Sequence, residues 1–109
     1  MSRTLGALIV LGTTAVACGG GLPKPNDQHL TVARQSEPAV SLADLDRGRT
    51  LYASKCGKCH ALREPGSLQP ADWRHEIEEM ETKQGVRLSN GESQDIYRYL
   101  AAVSMASRH

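Results

Sequence analysis

The stretch that decides the fold reads Cys56-Gly57-Lys58-Cys59-His60. A Cys-x-x-Cys-His string is the attachment signature of a c-type haem. Two thiols at this spacing can reach the two vinyl groups on one side of a porphyrin, and the adjacent imidazole then points at the iron. The motif therefore predicts one covalent haem c, with thioether bonds from Cys56 and Cys59 and with His60 as the proximal ligand.

Two other chemistries use cysteines at this spacing. A redox-active dithiol normally lies in a βαβ context, and a 109-residue chain with no strand pattern does not offer one. Structural zinc takes four ligands at short spacing, whereas the sequence holds three cysteines and no second Cys pair. Haem is therefore the favoured interpretation of the motif.

The composition agrees with a small domain that needs an added group. The chain is 39% hydrophobic but only 4% aromatic, and it contains no Phe. Domains of this size usually need a disulfide, a metal or a bound group for stability. The 13 basic and 12 acidic residues nearly cancel, which argues against nucleic-acid binding, since that function normally shows a basic excess.

The helix before the motif is predicted from its cap and its apolar stripe. Ser41 and Asp44 have the spacing of a capping box. Leu45, Gly48 and Tyr52 then follow at i, i+3 and i+7, which places them on one buried face.

Two more helices are predicted after the motif. One spans Pro70 to Gln84, with proline at its start and Gly85 as its stop. The other begins with a capping-box spacing at Ser89 and runs to about Ala102. No strand pattern competes, so the fold class is all-α. The apolar stripe of the last helix is Ile96, Tyr99, Leu100 and Val103.

Two segments of the chain resemble the small class I c-type cytochromes. Residues 46–60 resemble their N-terminal helix and haem motif, and residues 96–100, Ile-Tyr-Arg-Tyr-Leu, resemble their C-terminal helix. The likeness covers about residues 42–104. It implies a helical domain wrapped around one haem. It further implies that the protein carries electrons and is not an enzyme. The chain departs from these cytochromes in having no Pro-flanked loop methionine for the iron.

The resemblance also implies contacts around the haem. It places Gly48 and Tyr52 at a crossing of the first and last helices, against Tyr97 or Tyr99. It further implies that a proline carbonyl accepts the proton of the haem-ligating imidazole, and Pro65 is the nearest candidate. Tyr52 and Pro65 are accordingly predicted to belong to the haem pocket.

The sixth iron ligand is predicted from the helix after the motif. Trp73, Ile77, Met80 and Gln84 follow at i, i+4, i+7 and i+11, which places them on one narrow helix face, whereas His75 lies on the opposite side. An apolar face turned to the haem would bring Met80 with it and leave His75 in solvent. Small cytochromes with a Trp-x6-Met helix after the motif are similar to this chain. We predict Met80 as the ligand and Trp73 as a pocket wall; the alternative for both is plain core packing. The remaining candidates for the sixth position are Met105, His29 and His109.

Residues 1–17 have the pattern of a secretory signal peptide. Residues 5–17 contain no charged side chain, and this stretch is shorter than the ~20 residues that span a bilayer as a helix. Small residues precede the expected cleavage site.

The residue after this leader, Cys18, is predicted to carry a lipid. The string Thr-Ala-Val-Ala-Cys ending at Cys18 resembles a bacterial lipobox, with Ala where Leu usually stands. We therefore expect an exported protein on the periplasmic face, tethered to a membrane through lipidated Cys18. The alternative is a plain secreted chain with an unmodified Cys18.

Residues 18–40 are predicted to form a flexible tether, and residues 41–109 the haem domain. Glycine and proline dominate the start of the tether, and no helical or strand period continues through about Pro38. His29, within it, is predicted to be solvated.

Charge placement suggests how partners are recognised. A basic rim would meet redox proteins with an acidic docking surface; the alternative is two ordinary solvated faces. The basic residues near the motif are Arg47, Arg49, Lys55, Lys58 and Arg63, and the acidic residues of the middle helix are Asp72, Glu76, Glu78, Glu79 and Glu81.

The sequence therefore predicts a single-electron carrier between membrane-associated or periplasmic redox partners. A haem-based gas sensor, which needs a weak or absent sixth ligand, is one alternative, and a subunit of a larger oxidoreductase complex is another. A peroxidase would need an open iron and distal acid–base groups, which His75 on the far helix face does not supply.

Overall fold

The computed structural model describes residues 21–57 and 61–108. No strand occurs among these residues, so the all-α prediction is confirmed. No helix within the described ranges is long and apolar enough to cross a bilayer. The α-helices are α1 (Asp27–Arg34), α2 (Leu42–Leu51), α3 (Pro70–Thr82) and α4 (Asn90–Ala106); α2 continues into a π turn (Tyr52–Cys56), and a 3-10 turn (Pro65–Ser67) precedes α3.

The capping boxes begin α2 and α4 as predicted. At α2 the Ser41 hydroxyl accepts the Asp44 N–H at 3.2 Å, and the Asp44 carboxylate accepts the Ser41 N–H at 2.9 Å. Ser89 and Glu92 form the same pair of bonds at α4. Accepting a backbone N–H lowers the pKa of both carboxyls. The carboxyl ends of two helices differ from the prediction. Helix α3 ends at Thr82 rather than at Gln84, and α4 continues to Ala106 rather than ending at about Ala102.

Gly48 lies where α2 crosses α4. A Cβ atom at Gly48 would lie 2.0 Å from the Asp95 carbonyl oxygen and 2.8 Å from Cβ of Tyr99. Only glycine therefore permits this approach of the two backbones. The predicted crossing is confirmed, and its aromatic partner is Tyr99. Tyr97 instead lies under the Arg74 guanidinium, 3.9 Å from the ring centroid.

The core has two parts that share α4. The larger joins α4 to the π turn and α3, and the smaller joins it to α1 and α2. The first contains Tyr52, Cys56, Trp73, Ile77, Ile96, Tyr99, Leu100 and Val103. The second contains Val40, Leu45 and Ala102, with Leu30 and Ala33 packed against them.

The prediction of a flexible tether is wrong for residues 27–34, which form α1. The Asn26 side chain accepts the His29 N–H at 3.0 Å, and His29 Nδ1 accepts the Asn26 N–H at 3.2 Å. His29, predicted to be solvated, is buried together with Val32. An eight-residue helix is too short to show a sustained period, and it is stabilised by tertiary packing rather than by its own propensity.

Side-chain bonds fasten both flanks of α1 to the domain. Before it, the Leu22 carbonyl accepts Arg49 Nε–H at 3.1 Å and the Pro23 carbonyl accepts the Tyr99 hydroxyl at 2.8 Å. We call residues 22–40 the strap. After α1, Glu37 accepts Arg98 Nε–H at 2.6 Å and Gln94 Nε2–H at 3.2 Å.

The docking of α1 should depend on pH through His29. Burial lowers the pKa of His29 below its ordinary 6.5, so in this range the unfolded state binds more protons than the folded state. Its contribution to stability is complete above pH 6.5 and is lost as the pH falls toward the folded-state pKa. We expect amide protection factors of α1 to decrease between about pH 7 and 5. His29→Gln keeps an acceptor at the third helical position and should remove this change; a pH-independent protection in the wild type would contradict the prediction.

Candidate functional site

An apolar cleft opens between the π turn, the loop that follows the motif, α3 and α4. It contains about 410 Å³ of unfilled space, part of it open to solvent. The lining residues are Tyr52, Cys56, Leu62, Arg63, Trp73, Glu76, Ile77, Met80, Leu88 and Leu100.

The π turn brings the first motif cysteine to this cleft. Cys56 and Tyr52 are both buried, and both line the cleft wall. Gly57 closes the turn, and a Cβ atom there would lie 2.6 Å from the Ala53 carbonyl oxygen. Single π turns occur often at functional sites. Lys58, Cys59 and His60 lie outside the described residues, as does Cys18, so the roles predicted for them stay predictions.

The α3 face predicted from helix geometry is the face that borders the cleft. Trp73, Ile77 and Met80 are 1%, 7% and 7% exposed, whereas the His75 side chain is 71% exposed and lies 3.3 Å from Glu79. Gln84 does not share this buried face, because α3 ends at Thr82 and Gln84 is exposed.

The end of α3 holds Met80 in place. The Met80 carbonyl accepts the Val86 N–H at 3.0 Å across a turn in which Gly85 has φ +69°. This left-handed conformation favours glycine.

The competing ligands lie elsewhere. Met105 lines a separate cavity beside α1, and His29 belongs to the α1 capping box. His109 lies outside the described residues. Met80 is therefore the one of these candidates that the described part of the chain places on the cleft.

The loop after the motif is held by its backbone carbonyls. The Tyr52 hydroxyl donates to the Arg63 carbonyl at 2.7 Å, and the Trp73 indole N–H donates to the Pro65 carbonyl at 2.8 Å. The Ser104 hydroxyl donates to the Leu68 carbonyl. Burial raises the pKa of Tyr52, which keeps this donor protonated. We call these three bonds the loop clamp.

Trp73 and Pro65 form a buried unit within the clamp. The Trp73 ring also meets Tyr52 edge to face, with centroids 5.7 Å apart. The resemblance described above implies that the Pro65 carbonyl accepts the His60 imidazole proton; in the structure this carbonyl accepts the Trp73 indole N–H. A carbonyl oxygen has two lone pairs, so the Pro65 carbonyl can accept a second hydrogen bond. The bond from His60 therefore stays a prediction.

A model of one protein family covers this site. The family is described as dihaem cytochrome c, and its model matches residues 52–109, which is more than half of the chain. The chain belongs to this family. No curated protein and no solved structure matches it.

Membership makes the protein a c-type cytochrome, in which haem c transfers electrons. It indicates an electron carrier rather than an enzyme. The described residues of this cytochrome fit the group: Cys56 offers a thiol, Met80 a thioether, and Trp73 and Ile77 apolar walls. Arg63 lies 3.7 Å from Glu76 among the lining residues, and its guanidinium can neutralise a haem carboxylate.

The basic cluster predicted near the motif is largely paired within the cytochrome. Lys58 lies outside the described residues. The largely exposed ion pairs of Lys55 and Arg63 contribute only about 0–1 kcal/mol each, so these two side chains can rearrange for another carboxylate. The contacts are Arg47 with Asp44 at 3.0 Å and Asp95 at 3.6 Å, Arg49 with the Leu22 carbonyl at 3.1 Å, Lys55 with Glu92 at 4.0 Å and Arg63 with Glu76 at 3.7 Å.

Several site residues were not identified from the sequence. Leu62 and Leu88 line the cleft from polar loops. The sequence signal for such residues is an apolar side chain that stands beside a polar residue in a loop. Ser104 offers no such signal, because its role is a bond to a distant carbonyl.

Replacing Trp73 by Phe should test the clamp. The variant removes the donor to the buried Pro65 carbonyl, and we expect a loss of about 1–3 kcal/mol from this carbonyl alone. Thermal unfolding of the holo-protein measures the loss. The control is Tyr97→Phe, in which the hydroxyl removed makes no hydrogen bond among the described residues; it should stay within about 0.5 kcal/mol of the wild type. Equal unfolding temperatures for Trp73→Phe and the wild type would refute the clamp.

Proposed function

We propose that this cytochrome is a single-electron carrier with one covalent haem c, ligated by His60 and Met80. The observation that carries the proposal is that Cys56 and Met80, 24 positions apart in the sequence, line one apolar cleft. The family description says dihaem, but this sequence has one Cys-x-x-Cys-His motif and one cysteine outside it. That count supports a single haem in this chain.

The side chains around the cleft favour reversible electron transfer. Haem c supplies the iron that changes oxidation state. Trp73, Ile77 and Leu100 exclude water from one side of the cleft, and a thioether ligand favours a higher potential than a second imidazole. The loop clamp keeps the cleft in one geometry when the charge of the iron changes.

The spectrum and mass of the purified exported protein test this function. We expect a mass of the processed chain plus one haem and reversible one-electron reduction. Reduced protein should not bind carbon monoxide rapidly, because Met80 fills the sixth position. A second haem would contradict the single-haem proposal, and rapid carbon monoxide binding would favour the gas-sensor alternative.

We also propose that redox partners dock on the basic rim through acidic surfaces. Attraction between such surfaces is screened as salt shortens the Debye length from ~30 to ~10 Å. Electron-transfer rates should therefore fall as salt rises. Charge reversal of Lys58 and Arg63 together should slow transfer and flatten this dependence, whereas reversal of Lys83, just after the far end of α3, should not. A rate indifferent to salt would leave the rim as a solvated face.

Export and anchoring form a separate part of the proposal. The apolar leader and the lipobox-like string support cleavage before Cys18 and acylation of its thiol and amine. Mass spectrometry of the amino terminus tests this, and an unmodified Cys18 would refute the anchor while leaving the haem proposal intact.

A role as one subunit of a larger complex is the second candidate. The family description names two haems, whereas this sequence has one attachment motif, so a second haem would have to belong to another chain. Co-purification of a second haem-bearing chain at a fixed ratio is the expected result, and a monodisperse monomer would exclude it.

A further inference from the structure

The amino end of the strap is pinned beside the crossing of α2 and α4. The Leu22 side chain packs against the larger core cluster, and its carbonyl accepts Arg49 Nε–H at 3.1 Å. The next carbonyl, of Pro23, accepts the hydroxyl of Tyr99 at 2.8 Å. Tyr99 is fully buried, and burial raises the pKa of its hydroxyl to about 12. This donor therefore stays protonated at any physiological pH.

The rest of the strap is fastened as well. The Asn26–His29 capping box begins α1, Val32 is buried, and Glu37 is bound to Arg98 at 2.6 Å. These contacts reach α4 at both ends of α1, so the strap is fastened along its length.

The pinned strap sets the length of chain available to an anchor. Only residues 19–21 separate Cys18 from Leu22. Four Cα–Cα steps span at most about 14 Å when fully extended. A flexible coil over about 22 residues, as the sequence alone suggested, would have a root-mean-square reach of about 25 Å.

We propose that the strap seats the haem domain directly on a lipid bilayer, with the surface around Leu22, Lys24 and Arg49 facing the headgroups. The proposal rests on acylation of Cys18, which is part of the proposed function. An anchor within about 14 Å of Leu22 holds the domain against the surface. Lys24 and Arg49 add positive charge, which anionic headgroups attract.

Energy transfer from a headgroup fluorophore to the haem measures this arrangement. The acylated full chain is reconstituted in vesicles of phosphatidylethanolamine and phosphatidylglycerol that carry the fluorophore, and quenching of the fluorophore is recorded. Inserting a long Gly/Ser segment, about as long as the strap, between Gly20 and Gly21 lengthens the free segment, and we expect quenching to fall at least two-fold. The same insertion after His109 is the matched control and should leave quenching unchanged.

A second variant tests the pins themselves. Tyr99→Phe removes the donor to the Pro23 carbonyl without changing any charge, and it should lower quenching in the same direction as the insertion. Equal quenching in the wild type and the insertion variant overturns the proposal. It would mean that the wild-type tether already lets the domain move away from the bilayer, so that lengthening it changes nothing. Failure of the wild type to sediment with vesicles, with an unmodified Cys18 by mass, refutes the anchor itself.

Discussion

We expect Met80→Ala to abolish the weak long-wavelength sulfur-to-iron band of the ferric protein and to lower its reduction potential. We expect this result because Met80 lies on the buried face of α3 and lines the cleft with Cys56. Under the proposed ligation by His60 and Met80, loss of the thioether removes the ligand that favours ferrous iron. Optical spectra of the oxidised protein and a redox titration measure both effects.

Two variants serve as controls for the ligand assignment. Met105→Ala and His75→Ala should keep the band, since Met105 lines a different cavity and the His75 side chain is 71% exposed. If Met80→Ala retains the band, Met80 is not the ligand.

Gly48→Ala should strongly destabilise the domain. The added Cβ would meet the Asp95 carbonyl oxygen at 2.0 Å, and this oxygen belongs to a helix backbone that cannot turn aside. Relief requires α2 and α4 to separate, which opens the core around Ile96 and Leu100. We expect a loss above about 3 kcal/mol, beyond the usual range for overpacking, measured by chemical unfolding of the holo-protein.

Gly91→Ala is the matched control for this substitution. Gly91 also lies in a helix, but the nearest atom to a Cβ added there is Ser89 Oγ at 3.9 Å. Alanine there should be neutral or stabilising by about 0.5–1 kcal/mol. A Gly48→Ala protein as stable as Gly91→Ala would show that the two helices do not cross at Gly48.

The elements that the sequence predicts well are those with local causes. The caps at Ser41 and Ser89 are bonds between residues three apart, so their pattern is visible in a short window. The stripe of α3 is likewise a matter of helical spacing, and Trp73, Ile77 and Met80 all proved buried.

The elements that were missed depend on distant partners. Packing on α4 holds α1, together with bonds such as that between Glu37 and Arg98, 61 positions apart. The loop clamp is invisible for a similar reason, since Ser104 donates to the Leu68 carbonyl, 36 positions away. A carbonyl acceptor exists at every residue, so no residue type marks the position that accepts.

In the loop clamp, the bonds that hold the loop and the surface that the loop exposes are formed by different atoms. Its fixed atoms are main-chain carbonyls, which any amino acid carries, while the side chains of Arg63, Glu64 and Ser67 are exposed. Substitutions at Glu64 and Ser67, which do not line the cleft, can therefore accumulate without disturbing Trp73 or the cleft wall. Related chains could diversify the outer surface of the loop while they keep the same cleft.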